Sequence, residues 1–404
     1  MDRLVLDGVK IADFAWVGVG PLTTQYLADY GATVVKVEWP GRPDTLRNTA
    51  PFKDNIAELD RGGLFNDFNS SKYGITLNMA LPRGRAIARE LVQWADIVTD
   101  SFTPGVMKRF GLDYASVTAF RPDIVYFSTC MMGQTGPSGH LPGFGNLLSA
   151  LSGWVHLTGW ADREPVGPAG AWTDYMSHKV LATALLAALS HRRRTGQGVY
   201  IDQGQLEIGA FFAAPMLMDT ATSGTHYDRM GNRAFLSAPH GVYPCRGDDR
   251  WCAIAVLTEE EWEALCRVMG DPATVSDPRF ASASARKGNE DALDAIVSAW
   301  TRRHTPEEAM TSLQAAGVRA GVVASGKDLH EDPQLAHRQH FVELEHSTVG
   351  PYHCRNFGFR LSRTPSQPRW AAPSLGEHNL FVYREILGYS VDAIAELVSE
   401  GIIA

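Results

Sequence analysis

A lone carboxylate at the end of a glycine-rich run is the residue in this chain best placed for chemistry. The run Gly167-Pro168-Ala169-Gly170-Ala171-Trp172-Thr173-Asp174 delivers Asp174 to the start of an apolar helix. As an N-cap, such a residue contributes about 0.5–2 kcal/mol to its helix. The positive end of the same helix also favours the ionised carboxylate, which is then poised as a nucleophile if a substrate reaches it. Locally, the cap is the simpler reading. A second candidate is the stretch Gly18-Val19-Gly20-Pro21-Leu22-Thr23, with Glu38 twenty residues after Gly18, where a dinucleotide-binding turn would hold its ribose acid. Thr23 occupies the place of the third glycine, and Pro21 removes an N–H that would hold pyrophosphate. A nicotinamide site is therefore disfavoured, and Glu38 reads as a satisfied strand-end charge. The loop itself still suits close approach of a ligand. The histidines (among them His140, His178, His191, His330, His337, His340 and His346) form no pair, and neither H-E-x-x-H nor G-x-S-x-G occurs, which disfavours a zinc protease or an α/β-hydrolase.

The elements that must position these residues read as strand–helix repeats. Val9–Phe14 alternates as a strand, Pro21 suits a helix's first turn, Gly31 stops that helix, and Thr33–Glu38 is a second, β-branched strand. Strands at Gly74–Asn78, Ile97–Phe102 and Ile124–Thr129, with a helix at Arg83–Trp94, continue the pattern and predict a mostly parallel sheet covered on both faces. Residues 130–173 are rich in Gly and Pro and read as a long functional loop. It leads into an apolar helix, Tyr175–Arg194, which ends in arginines and Gly196. A strand at Val199–Gln203 and a helix at Leu206–Met218 follow. After a linker at Ser223–Arg233 the pattern changes to an antiparallel pair, Gly241–Cys245 and Trp251–Val256. Helices at Glu259–Met269, Asn289–Thr301 and Pro306–Ala316 and a strand at Arg319–Val323 complete this part. The tail is Pro-rich at 364–373 and closes with a helix at Tyr389–Glu400.

The 404 residues exceed the usual size of one domain, so two lobes are expected. Net charge is −8, with 45% hydrophobic and 20% charged residues; this is a globular composition that argues against a nucleic-acid or anionic-membrane binder but not against an anionic small molecule. Five scattered cysteines without a C-x-x-C fit free thiols in a reducing compartment, not a disulfide framework or zinc site. Met1-Asp2-Arg3 opens no signal peptide, and no apolar run approaches the ~20 residues of a membrane span. A cytoplasmic protein is expected.

In order and spacing, the motifs of this chain resemble the family III CoA-transferases, the group that holds formyl-CoA transferase, carnitine CoA-transferase and α-methylacyl-CoA racemase. The pieces begin with Leu6-Asp7-Gly8, Gly20-Pro21 and Tyr30-Gly31-Ala32 leading to Lys36-Val37-Glu38. Asn69-Ser70-Ser71-Lys72, Phe102-Thr103-Pro104-Gly105 and Arg109-Phe110-Gly111 follow, then Gly133-Gln134-Thr135-Gly136-Pro137, Asp174, and Arg193-Arg194-Thr195-Gly196-Gln197-Gly198. The last are Asp332-Pro333, Thr364-Pro365 and Gly376-Glu377-His378-Asn379. None is specific alone; the series spans nearly the whole chain.

The resemblance implies an α/β fold: a Rossmann-like large domain built from residues 1–222 and 326–404, a smaller α+β domain with its linker at 223–325, and an interlocked homodimer. A heteromer with a related subunit is the alternative assembly. Coenzyme A, as acyl-CoA substrate and not as a resident cofactor, would contact Val17, Gly18, Val19, Trp39, Leu77, Ser101, Phe102, Thr103, Arg109 and Met131. Trp39 stands where an arginine is common in formyl-CoA transferase, Gly18 where a glutamine occurs and Met131 where a lysine occurs. Trp39 could stack on adenine, and Arg42 and Lys108 are near enough in sequence to supply charge.

Asp174 matches the transferase nucleophile. The racemases need a proton-carrying histidine in a G-H-D stretch, which here reads Gly143-Phe144-Gly145, so CoA transfer to a carboxylic acid acceptor through an aspartyl-CoA intermediate is expected over racemisation. His140 lies four residues away. A non-catalytic subunit is disfavoured because Asp174 is present. No metal is called for. Phe144 and the loop Arg229–His240 would face the substrate, their apolar content hinting at a bulky acid.

Overall fold

Lys10–Asp13 (β1) carries an exposed first residue and three buried ones, and lies at the centre of a six-stranded sheet. In a computed structural model that describes residues 4–365 and 367–404, β1 is flanked by Thr33–Glu38 (β2) and Ile97–Asp100 (β4), both parallel to it. Tyr73–Thr76 (β3), Val125–Cys130 (β5) and Val199–Gly204 (β6) extend the sheet to the order β3-β2-β1-β4-β5-β6, parallel throughout. β4 and β5 are wholly buried, which is why neither alternates: each opens on apolar residues, Ile97-Val98 and Val125-Tyr126-Phe127, and turns polar only at its carboxyl end. Strand order reverses between β1 and β4, and in such sheets the crevice at the carboxyl ends of the strands beside that reversal is where ligands bind.

Several elements differ from the sequence reading. The segment expected to be loop from 130 to 173 contains helices Gly145–Leu151 and Trp154–Leu157; their short apolar turns are too brief to show periodicity. The long helix starts at Trp172, so Asp174 lies inside its first turn, and Ala171 takes the cap position after Gly170, whose φ is +71°. The expected helix Leu206–Met218 is two helices, Gln205–Phe212 and Ala214–Ser223, because Pro215 cannot continue the first. An antiparallel hairpin, Phe341–His346 with Gly350–Arg355, went unread.

The tail closes the β3 edge. The Asn379 side chain accepts from the Thr76 N–H at 2.9 Å, the Thr76 hydroxyl donates to the Ala404 carbonyl at 2.8 Å, and the Tyr383 hydroxyl donates to the Thr76 carbonyl at 2.7 Å. These bonds occupy an edge that would otherwise offer itself to another strand. The stretch Pro365–Pro373, whose prolines suit a stiff strap over a surface, is instead buried at Pro368 and Ala371–Pro373, with the Trp370 indole donating to the Lys72 carbonyl. Ser366 of that stretch, and Met1, Asp2 and Arg3 at the start, lie outside the described residues.

Contacts divide the chain into two compact units: the chain to Val155 with Gly167–His226 and Gln334–Ala404, and His156–Val166 with Tyr227–Pro333. The sequence boundaries at 222 and 325 therefore differ from these by a few residues, and the excursion 156–166 was not anticipated. Within the second unit, His240–Pro244, Trp251–Ala255 and Arg319–Val322 form an antiparallel sheet. Helices Glu259–Met269 and Pro306–Ala315 each open on a capping box, at Thr258 with Glu261 and at Thr305 with Glu308. Phe235 and Leu236, in the loop proposed to face substrate, are exposed. Among the described residues all five cysteines are free and buried, no helix is long and apolar enough to cross a membrane, and no cluster of His, Cys, Asp or Glu is arranged to hold a metal.

Candidate active site

The loop after β1 is pinned before it becomes helix. The Lys36 ammonium, on β2, donates to the Ala15 carbonyl and to Asp44, both at 2.9 Å. Asp44 in turn accepts from the Val17 N–H at 3.1 Å. Val17 has φ of +68°, a costly conformation for a β-branched residue that the surrounding bonds must hold. The Ser101 hydroxyl both accepts from the Trp16 N–H (2.7 Å) and donates to the Trp16 carbonyl (2.8 Å), tying this loop to the end of β4. Glu38 is spent on a two-point pair with Arg47, each bond 2.9 Å and fully buried, so it is a structural charge and no ribose hook.

The pinned loop opens on a cavity of about 750 Å³ along the carboxyl ends of the strands. Each of the twelve positions singled out in the sequence lines it: Val17, Gly18 and Val19 from the first loop, Trp39 after β2, Leu77 after β3, Ser101, Phe102, Thr103 and Arg109 after β4, Met131 after β5, and Phe144 and Asp174. Of the two suggested substitute cations, Arg42 shares this wall, held to Trp39 by a β-bridge. Lys108 instead faces a separate cavity of about 320 Å³. Phe144, 63% exposed, caps the helix Gly145–Leu151. His140 is exposed and off the cavity wall.

Asp174 is held in place from two sides by glycines. A Cβ on Gly18 would lie 2.3 Å from its Oδ2, and one on Gly145 would lie 2.6 Å from its Oδ1. Both positions thus require glycine because the carboxyl group fills the space a side chain would take. Desolvation is the one cause that moves this acid, pushing its pKa up to about 7. That outcome differs from the expectation of a carboxylate kept ionised by its helix: crowding by apolar walls outweighs the helix end. One turn on, His178 places Nδ1 3.0 Å from the Asp174 backbone carbonyl, and burial lowers its pKa to about 4. It is a neutral support for the helix.

The sequence reading passed over three contributors. Gly145 registered only as the absence of an acid; its close approach to Asp174 depends on a fold contact that no spacing reveals. Cys130 and Gln205, at the ends of β5 and β6, also line the cavity. Their signal was their place at strand ends on one side of the sheet, Cys130 closing β5 and Gln205 following β6.

Comparison with known proteins bears on this geometry. The model of CoA-transferase family III matches residues 6–379. A succinyl-CoA–D-citramalate CoA-transferase of Chloroflexus aurantiacus is 31% identical over 98% of both chains. A succinate–glutarate CoA-transferase of Agrobacterium fabrum is 31% identical over 94% of this chain and 95% of its own. The crystal structure of a CAIB/BAIF family protein from Brucella suis superposes with a TM-score of 0.88 at 29% identity, covering 95% of this chain and all of that one. Proteins so named act on CoA thioesters, and a family match across nearly the entire length, on a fold that places a desolvated aspartate in a cavity at the strand ends, has one reading: this chain belongs to CoA-transferase family III and is a CoA-transferase.

Proposed function

We propose that the protein transfers CoA from an acyl-CoA donor to a carboxylic acid acceptor through covalent intermediates on Asp174. The observation that carries this is the Asp174 carboxyl group itself, wedged between Gly18 and Gly145 on the wall of the cavity and paired with no cation among the described residues. An acid raised to about 7 is largely ionised just above neutrality, and once ionised it is a stronger nucleophile than an ordinary carboxylate. Its oxygen adds to the thioester carbonyl; the C–S bond breaks, leaving a mixed anhydride and CoA thiolate. The thiolate then adds to the aspartyl carbonyl and expels the donor acid as its carboxylate, leaving an aspartyl-CoA thioester. The acceptor carboxylate runs both steps in reverse. Each addition builds an oxyanion, for which the first N–H groups of the helix Val19–Asp29, beginning beside Gly18, are preorganised donors.

CoA carries its negative charge on phosphates, and Arg42 and Arg109 are the cations of this wall, with Trp39 available to stack on adenine. The similar proteins named above use succinyl-CoA or succinate with a second dicarboxylic acid; here the donor and acceptor are assigned only as an acyl-CoA and a carboxylic acid. Racemisation is disfavoured because Phe144 cannot carry a proton and His140 is off the wall.

For assembly we propose the interlocked homodimer. Supporting it, Phe211 (67% exposed), Leu217 and Met218 stand uncovered on adjacent helices of the first unit, a grouping that marks an interaction face.

The test is covalent capture. Incubation with acetyl-, butyryl-, benzoyl- and succinyl-CoA, followed by hydroxylamine, is expected to leave a mass change on the peptide that contains Asp174. Turnover with no modification at Asp174, or undiminished turnover by Asp174→Ala, would refute the proposal.

A further inference from the structure

Gln203 and Gln205 lie two residues apart at the end of β6 and are used differently. The Gln203 carboxamide is closed at both ends, accepting from the Thr129 hydroxyl at 3.1 Å and donating to the Ser177 carbonyl at 3.2 Å. The Gln205 Oε1 is buried and meets no hydrogen-bond donor among the described residues, although Gln205 lines the same cavity as Asp174. A buried polar atom without a partner costs stability, so the carboxamide gains by turning this oxygen toward the cavity that Gln205 lines, where a ligand can bond it.

The helix that begins at Gln205 is fixed against the Asp174 helix. The Leu206 N–H donates to the Met131 carbonyl at 3.0 Å. A Cβ on Gly209 would meet Ser152 Oγ at 2.5 Å and Thr173 Cγ2 at 3.3 Å. Gly209 follows Gln205 by four residues and shares its helix face, and Thr173 is the neighbour of Asp174. Gln205 therefore begins the helix face whose next turn packs on Thr173, the neighbour of Asp174.

We propose that Gln205 positions the acyl group, its carboxamide hydrogen-bonding the thioester carbonyl oxygen as Asp174 attacks. This rests on the Asp174 transferase reading. Half a turn of the carboxamide exchanges its donor and acceptor ends, so an N–H can be offered to an oxygen that gains negative charge as the tetrahedral intermediate forms. Because the bond strengthens at that stage, its loss falls on kcat more than on KM. The orphan also predicts an unusual pairing of effects, since an apolar replacement removes an unmet polar group and keeps the fold.

The experiment follows single-turnover acylation of Asp174 by mass, with butyryl-CoA and succinyl-CoA as probes, in the wild type, Gln205→Leu and Gln205→Glu. Gln205→Leu is expected to slow acylation about 10²-fold at saturating thioester, with KM within about threefold and Tm unchanged or higher. Gln205→Glu keeps the shape but offers no donor when ionised, and is expected to be at least as slow at pH 8. Acylation by Gln205→Leu within twofold of the wild type, a lower Tm that accounts for its loss, or wild-type speed in Gln205→Glu would each overturn the proposal. A wild type that turns over without acylating Asp174 overturns the transferase reading instead.

Discussion

Two carboxylates of the first unit sit near the ends of parallel strands, and their surroundings are opposite. Asp13, on β1, is fully buried; it takes hydrogen bonds from the Thr24 and Thr99 hydroxyls, both at 2.7 Å, and pairs with Lys72 at 3.3 Å. Burial alone would raise its pKa, but Lys72, Lys36 and the two hydroxyls outweigh that and hold it below the ordinary value. Asp174 has the burial without the compensation, and rises to about 7. Asp13, which serves the fold, is neutralised and bonded, while Asp174, the proposed nucleophile, is fenced by glycines and has no counter-ion among the described residues. The pair Gln203 and Gln205 repeats the distinction among neutral groups.

The largest expected effects would break this contrast if they were exchanged. Lys72→Met leaves Asp13 buried with its main counter-charge gone, a loss on the order of 3–5 kcal/mol, and is expected to yield little soluble protein. Asp174→Asn is expected to lose at least about 10³-fold in transfer and to fold normally. The sign of its stability effect follows from linkage: a carboxyl with a folded pKa of about 7 against 3.8 unfolded binds more protons when folded, so stability falls as pH rises through that window. Asp174→Asn should therefore melt roughly 2–5 °C higher than the wild type at pH 8.5, with the gap closing toward pH 4. Wild-type kcat/KM should drop about tenfold per unit below pH 7 as the nucleophile is protonated. Thermal melts and pH–rate profiles check both; a variant less stable than the wild type at pH 8.5 would contradict the account.

A smaller effect sharpens the comparison at two glycines. A Cβ on Gly145 would press on Asp174 Oδ1 at 2.6 Å, whereas a Cβ on Gly84 would strike the Asn78 carbonyl oxygen at 2.0 Å. Gly145→Ala is expected to cost on the order of 10²-fold in kcat/KM by displacing the carboxyl group, with a smaller loss of Tm than Gly84→Ala, because its other close neighbour is a side-chain methyl, Ala171 Cβ at 2.7 Å, and not a backbone carbonyl. Gly84→Ala is expected to lower Tm and leave kcat/KM of the folded fraction near the wild-type value. If Gly145→Ala behaves like Gly84→Ala, that glycine serves packing and not the nucleophile.

The division between fold and site also governs what the sequence discloses. The β1–β2 unit, the antiparallel sheet of the second unit and the helix Glu259–Met269 were legible because periodicity, caps and turn residues are local signals. Asp174 was legible as a carboxylate near a helix start, but whether it was a cap or a nucleophile depended on Gly18 and Gly145, which lie 156 and 29 residues away in sequence. The helices inside 130–173 were missed because their apolar faces are single turns; the hairpin after Phe341 does alternate, at Val342-Glu343-Leu344-Glu345, but the next inward position is a polar residue, His346, so the apolar signal is brief. The orphaned Gln205 oxygen has no sequence signature at all, since its neighbour Gln203 is chemically identical and fully bonded.

The smallest expected effect is none, and it concerns proton transfer at the substrate's α-carbon. Racemisation needs an acid and a base on opposite sides of that carbon. Asp174 could act on one side, but the opposing candidates fail for different reasons: Phe144 has no exchangeable proton, Gly145 has no side chain, and His140 is exposed and off the cavity wall. His178 is buried, with one nitrogen directed at the Asp174 backbone carbonyl and its pKa lowered to about 4, so it neither faces the cavity nor gains a proton near neutrality. His140→Gln is therefore expected to leave CoA transfer within about twofold of the wild type. A 2-methylacyl-CoA held in deuterated water with the enzyme should acquire no α-deuterium above the enzyme-free rate. Exchange at a rate comparable to transfer, abolished by His140→Gln, would show that the loop carrying His140 reaches the substrate and that Asp174 shares the site with a second proton carrier.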